Sequence, residues 1–185
     1  MFKYFVALAL ILSAVSLHSQ ERPHYRDFVL GSGLSTVSAQ VKAAASDATV
    51  VHTRPALIQR LLWRQPYFIA GSNETQTDPV EQIAFSFYND QLSRLVIDYD
   101  RQRTKGMTDA DMIRALSEAY GPVVKSKPRA TQPAASRIDV DSGTPISRWG
   151  TDDYSVGLFR ASFGDGFRVV VTSTPLDALA RTADA

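Results

Sequence analysis

The chain has 185 residues, of which 44% are hydrophobic, 21% charged and 10% aromatic, and it contains no cysteine. That composition excludes a disordered chain, a collagen-like repeat and a disulfide-built scaffold, and it suits one domain or two small halves sharing a core. Twenty basic residues against 19 acidic ones give a formal net charge of +1, too little for a nucleic-acid footprint.

The N-terminus has the pattern of an export signal. Lys3 supplies a positive charge, residues 4–12 are a continuous apolar run, and small residues (Ser13, Ala14, Val15, Ser16) precede a polar stretch. A signal peptide over residues 1–20 is expected, cut between 16 and 20. The apolar run is short of the roughly 20 residues that span a bilayer. No stable membrane span is therefore expected after its removal, and the location is secreted or periplasmic. An N-terminal anchor is the other reading. No cysteine follows the apolar run, so lipid attachment of the bacterial lipoprotein kind is excluded.

Helix signals come next in two places. Gly33-Leu34-Ser35 leads into residues 36–45, where Val37 and Val41 share a face. Gly106-Met107-Thr108 repeats that phrase, with Thr108 as cap and Asp111 as its box partner. Met112, Ala115, Leu116 and Ala119 then recur at helical spacing up to Gly121-Pro122, which predicts a helix over 109–120. Strands follow each helix. Residues 57–64, carrying Trp63, read as a strand, or as a helix given Pro55 and Ala56, and Tyr67-Phe68-Ile69 follows. Residues 81–88 and 92–99 alternate about the turn Asn89-Asp90 and predict a hairpin.

In the second half the strands are residues 146–149, with Trp149, then 154–162, a Gly164-Asp165-Gly166 turn, and 167–173. Trp to turn Asp spans 27 residues in the first half and 16 in the second, with most of the excess in the polar loop 71–79. The expectation is an α+β fold made by tandem duplication, α-β-β-β twice, with a first repeat over 24–105 and a second over 106–185. Residues 121–137, with three prolines and four basic residues, read as a surface loop. Thr174-Pro175-Leu176-Asp177 starts a short C-terminal helix.

The phrases Gly33-Leu34-Ser35 and Gly106-Met107-Thr108, each before a helix and then strands ending on a polar turn, resemble small envelope domains of the BamE/SmpA type. Doubled, the arrangement resembles the β-lactamase-inhibitor protein architecture. These resemblances imply helices packed on one face of an antiparallel sheet and a non-catalytic, protein-binding role. The missing lipid-bearing cysteine departs from the BamE pattern. Residues 85–92 and 98–101 are also similar to uncharacterised secreted bacterial proteins.

Chemistry-bearing patterns are few. Gly31-Ser32-Gly33-Leu34-Ser35 lacks the spacing of a nucleophile elbow, and after signal removal His24 and His52 are the remaining histidines. No Gly-rich phosphate loop with Lys occurs. No catalytic residue, metal ligand or cofactor is therefore assigned. Trp63, Tyr67, Phe68, Trp149 and Tyr154 fall at matching places in the two halves and are the candidate binding residues, as aromatic anchors of a shared concave surface. The bland reading has both tryptophans filling the core. The functional expectation is thus an exported protein that binds another envelope or secreted protein. The alternatives are a small secreted hydrolase in which Asp98, Asp100 and Asp153 meet, or a small-ligand binder with an apolar cavity between the halves.

Overall fold

The computed structural model describes residues 23–65, 78–124, 143–162 and 166–184. Tyr67, Phe68 and residues 71–77, 125–137 and 164–165 lie outside them, as do residues 1–22, over which the export signal is expected. The described chain is α+β, with three α-helices and one large antiparallel sheet. Strands β1 (His24–Tyr25) and β2 (Phe28–Val29) form a small hairpin ahead of α1 (Leu34–Gln40) and a 3-10 turn at Ala45–Asp47. A meander of β3 (Thr49–His52), β4 (Ile58–Arg64), β5 (Val80–Tyr88) and β6 (Gln91–Tyr99) follows. Then come α2 (Asp109–Tyr120), β7 (Thr144–Gly150), β8 (Tyr154–Arg160), β9 (Phe167–Ser173) and α3 (Thr174–Asp184).

The seven strands lie in the order β3-β4-β5-β6-β9-β8-β7, so the last strands of the two meanders meet at the centre. There β6 and β9 run antiparallel with Val96 opposite Val170. The β5–β6 hairpin turns on Asn89 and Asp90, both at positive φ (46° and 62°), a geometry whose twist matches that of the flanking strands. The two turn side chains also reach outward. Asn89 Oδ1 accepts the Leu57 N–H at 2.9 Å, and Asp90 Oδ1 accepts the Leu34 N–H at 2.9 Å. The latter bond is the side-chain cap of α1, whose own N-cap residue, Gly33, has no side chain to offer.

Helix α2 starts as its sequence dictates: Thr108 Oγ1 accepts from Asp111 N at 3.2 Å and Asp111 Oδ2 accepts from Thr108 N at 3.0 Å. The bond from Thr108 N, and after it one from the Thr108 hydroxyl at 2.7 Å, hold the Asp111 carboxyl below the usual carboxylate range. Helix α1 is shorter and earlier than expected, at Leu34–Gln40 in place of 36–45. Residues 57–64 resolve as strand β4.

Strand alternation separates two chemistries across the sheet. One face carries Ile83, Phe85, Phe87, Leu95, Ile97, Val156, Leu158, Val169 and Val171, all buried, and Leu34, Val37, Met112 and Leu116 of α1 and α2 join the same core. The other face carries Arg94, Val96 and Asp98 of β6 and Arg168, Val170 and Thr172 of β9, and α3 borders these residues through Asp177, Ala178, Ala180 and Arg181. Helices thus occupy both faces, in place of the single helical layer implied by the resemblance. The reason is topological: α3 leaves the end of the central strand β9 and its apolar side is free to fold back on either face.

Candidate functional site

Of the five aromatics singled out above, the three that are described do not form one surface. Trp149 is 0% exposed, and its Nε1–H donates to Ser117 Oγ of α2 at 3.1 Å. Trp63 and Tyr154 are half-buried and pack against the same core, while Tyr67 and Phe68 lie outside the described residues. Trp63 in β4 and Trp149 in β7 are five strands apart in the sheet order, about 24 Å of sheet width. The two indoles therefore do not share a concave surface: Trp149 is core beneath α2, and Trp63 packs against the same core from a distant strand.

The carboxylates expected to meet are also apart. Asp98 is opposite Arg168 and Tyr154 is opposite Ser173, so Asp153 lies more than five residues further along β9, beyond about 16 Å. Asp98 and Asp100 each have a structural task. Asp98 takes a bidentate pair from Arg168 (2.5 and 3.1 Å) and a bond from Gln82 Nε2 at 2.7 Å. Asp100 Oδ1 accepts the N–H groups of Gln102 and Arg103 at 2.7 and 2.9 Å, closing the turn after β6. Among the described residues no group of three or more His, Cys, Asp or Glu could hold a metal ion.

On the core side, a polar cluster ties the N-terminal hairpin to the sheet. The hydroxyls of Tyr25 and Tyr99 lie 3.0 Å apart, and Tyr120 donates to His24 O at 2.9 Å. Burial raises all three phenols above their ordinary range. Arg26 beside them pairs with Asp78 at 2.6 and 2.8 Å, which holds the Asp78 carboxyl down and the guanidinium up. These groups are spent on each other, closing the small hairpin over the core.

The open concavity is on the opposite face. A cleft of about 1080 Å³ runs between α3 and the strands β6, β9, β8 and β7, with Val123 and Val124 at its rim. Its existence follows from local sequence. Gly157 puts no side chain on the floor, and the Phe159 ring lies across that position, where a Cβ would be 2.6 Å from Cε2 of the ring. Phe159, Val170 and Ala178 supply apolar lining, and Ser155, Thr172 and Thr174 supply hydroxyls. Arg94, Arg148 and Arg181 border it with one carboxylate, Asp177. Arg94 is buried, at 7% exposure, whereas Arg148 and Arg181 are exposed. Arg181 is ion-paired to Asp177 one helical turn earlier. Arg94, Asp177 and Arg181 also border a second, smaller cleft of about 310 Å³ on the β3–β6 side.

Sequence reasoning missed this cleft. One signal was available: Arg94, Val96 and Asp98 alternate with Leu95, Ile97 and Tyr99, marking a second, polar side to a central strand. No protein-family model, curated protein or solved structure gives a significant match to the chain. Among the described residues no helix is long and apolar enough to cross a membrane.

Proposed function

We propose that this is an exported, non-catalytic binding protein that engages another envelope or secreted protein through the cleft between α3 and the sheet. The observation that carries the reading is the cleft itself, lined among the described residues by apolar groups (Phe159, Val170, Ala178) and by Arg94, Arg148 and Arg181, the last paired with Asp177. Asp98 and Asp100 are each engaged in a separate structural bond and Asp153 lies apart from both, which argues against the hydrolase alternative. Export is supported by Lys3 and the apolar run 4–12.

A tandem duplication, residues 24–105 and 106–185, is part of the same proposal. It is supported by α1 and α2 each preceding an antiparallel meander, β3-β4-β5-β6 and β7-β8-β9, and by the last strands of the two meanders pairing at the sheet centre. Trp63 lies in β4, the second strand after α1, and Trp149 in β7, the first strand after α2, and both face the core side of the sheet. The resemblance to BamE/SmpA-type and β-lactamase-inhibitor domains supports a partner-binding role of this architecture.

The test is chemical cross-linking of the tagged chain in the cells that produce it, followed by purification under denaturing conditions. A reproducible partner, captured from the exported fraction and lost in the R148E/R181Q variant, is the expected result. Capture of nothing above background, with the chain exported and folded, would overturn the protein-binding reading.

A further inference from the structure

We infer that α3 is a hinged wall: it lifts from the sheet as one piece about Ser173 and Thr174 while the strands stay folded, and its lifting joins the two clefts into one groove. The opening is a property of the fold and needs no partner. Its role in governing access to the cleft rests on the binding reading above. Packing supplies the first argument. Helix α1 buries Leu34 and Val37 and helix α2 buries Met112 and Leu116 in the core, whereas α3 contributes no residue to that core among the described residues. Of the described side chains of α3, Asp177 alone is buried; Leu176, Ala180 and Ala183 are half-buried, and Leu179 is 50% exposed. Half-covering one leucine and two alanines removes little apolar surface from water, and a buried carboxylate adds little net docking energy because desolvation offsets its pairing. Two polar side chains of α3 bond within the helix itself: Arg181 pairs with Asp177, and Thr182 Oγ1 donates to Ala178 O at 3.0 Å. With 11 residues, α3 is also too short to be stable in water without docking.

Topology makes the opening a hinge. Strand β9 ends at Ser173 and α3 begins at Thr174, with no connector between them. Thr174 N–H donates to the Asp153 carbonyl at 2.9 Å, which pins the start of the helix to the turn before β8, so movement grows toward its other end. The two clefts lie on either side of this helix. Ala178 borders the larger and Ala180 the smaller, while Asp177 and Arg181 border both. Their floors adjoin beneath it: Val96 of β6 belongs to the smaller cleft and Val170 of β9 to the larger, and the two residues are opposite one another in directly paired strands. The floor is thus continuous from β5 to β8, and α3 is the described element that divides it.

Native-state hydrogen exchange of the full chain tests the hinge. The amides of residues 178–183 are expected to share one protection level, about a hundredfold below that of the slowest amides of β6 and β9. That level should hardly change in low urea, since a local opening exposes little surface. Equal protection of α3 and the central strands overturns the inference. So does loss graded from residue 184, with 178–180 as protected as β9, because that is fraying and not a hinge. Ala180→Pro, which breaks α3 at its middle, supplies a second reading. In A180P the α3 protection should vanish while β6 and β9 keep about a hundredfold, the margin between the two levels in the parent. Strands that lose their protection along with α3 would make the helix part of one cooperative unit and overturn the hinge. In the cross-linking assay, A180P lacks its cleft wall and is expected to capture the partner severalfold less than the parent. Undiminished capture would overturn the role of α3 in access. A parent that captures no partner would remove the binding reading and leave the hinge standing, because exchange reads the hinge without one.

Discussion

Replacing Trp149 with alanine separates a core indole from a recognition indole. The side chain is fully buried, donates to Ser117 Oγ at 3.1 Å, and fills the space between β7 and α2. Removing so large a ring costs about 3–5 kcal/mol in transfer and cavity terms. For a chain of this size each kcal/mol lowers Tm by about 2–4 °C, so W149A is expected to melt roughly 6–20 °C below the parent. W149F retains most of the packing, and Ser117 is only half-buried and can rehydrate, so its cost is about 1–2 kcal/mol. Urea unfolding followed by circular dichroism gives both values, with m unchanged if the folded state keeps its compactness. Two tryptophans in the chain make the readout specific, because W63F leaves Trp149 as the sole indole. Its emission should then be blue-shifted and poorly quenched by acrylamide. A W149A protein melting within 2 °C of the parent, or a readily quenched indole in W63F, would refute the placement of Trp149 in the core.

Asp90→Ala removes the side-chain cap of α1 from across the sheet and is expected to cost about 1 kcal/mol, read as a fall in urea midpoint, with Asp90→Asn costing less. Arg168→Ala leaves the mostly buried Asp98 without its bidentate partner, and a loss of about 2 kcal/mol is expected in the same assay. Because Arg26 lowers the Asp78 carboxyl in the fold, the stability from this pair is present above the unfolded value near pH 4 and lost as pH falls through the lowered folded value. Melting curves of the parent and Asp78→Asn should therefore differ at neutral pH and converge in acid. Burial raises Tyr25, Tyr99 and Tyr120, so stability is full below about pH 10 and falls as pH rises toward their folded values. In a titration at 295 nm their ionisation should coincide with loss of structure by circular dichroism.

Where the signals are local, sequence and structure agree. The α2 helix announces itself through Thr108, Asp111 and Gly121, all within one helix length, and is found at Asp109–Tyr120. The β5–β6 hairpin follows from strict alternation and an Asn-Asp turn. Helix α1 was displaced in the sequence reading because its cap is Asp90, 56 residues away in the chain, and no local pattern reveals it. The side of the sheet that a residue faces is likewise a tertiary matter. A tryptophan on a strand suits a core or an interface equally, and β7 buries its own only because α2 covers that face. The C-terminal helix is legible from Thr174-Pro175-Leu176-Asp177, but its hydrophobic pattern says nothing about which face of the sheet receives it. The cleft is further still from legibility, since Arg94, Arg148 and Arg181 come from β6, β7 and α3 and meet through strand order alone.

Site-specific photo-cross-linking in the producing cell tests the central claim most directly. A photoreactive amino acid is placed at Ala178, exposed on the α3 side of the cleft, and, as control, at Glu118, exposed on α2 over the other face of the sheet. The account predicts a discrete protein adduct from position 178, absent from 118 and abolished by R148E/R181Q. An adduct from 118 with none from 178 would contradict it and move the binding surface to the helical face.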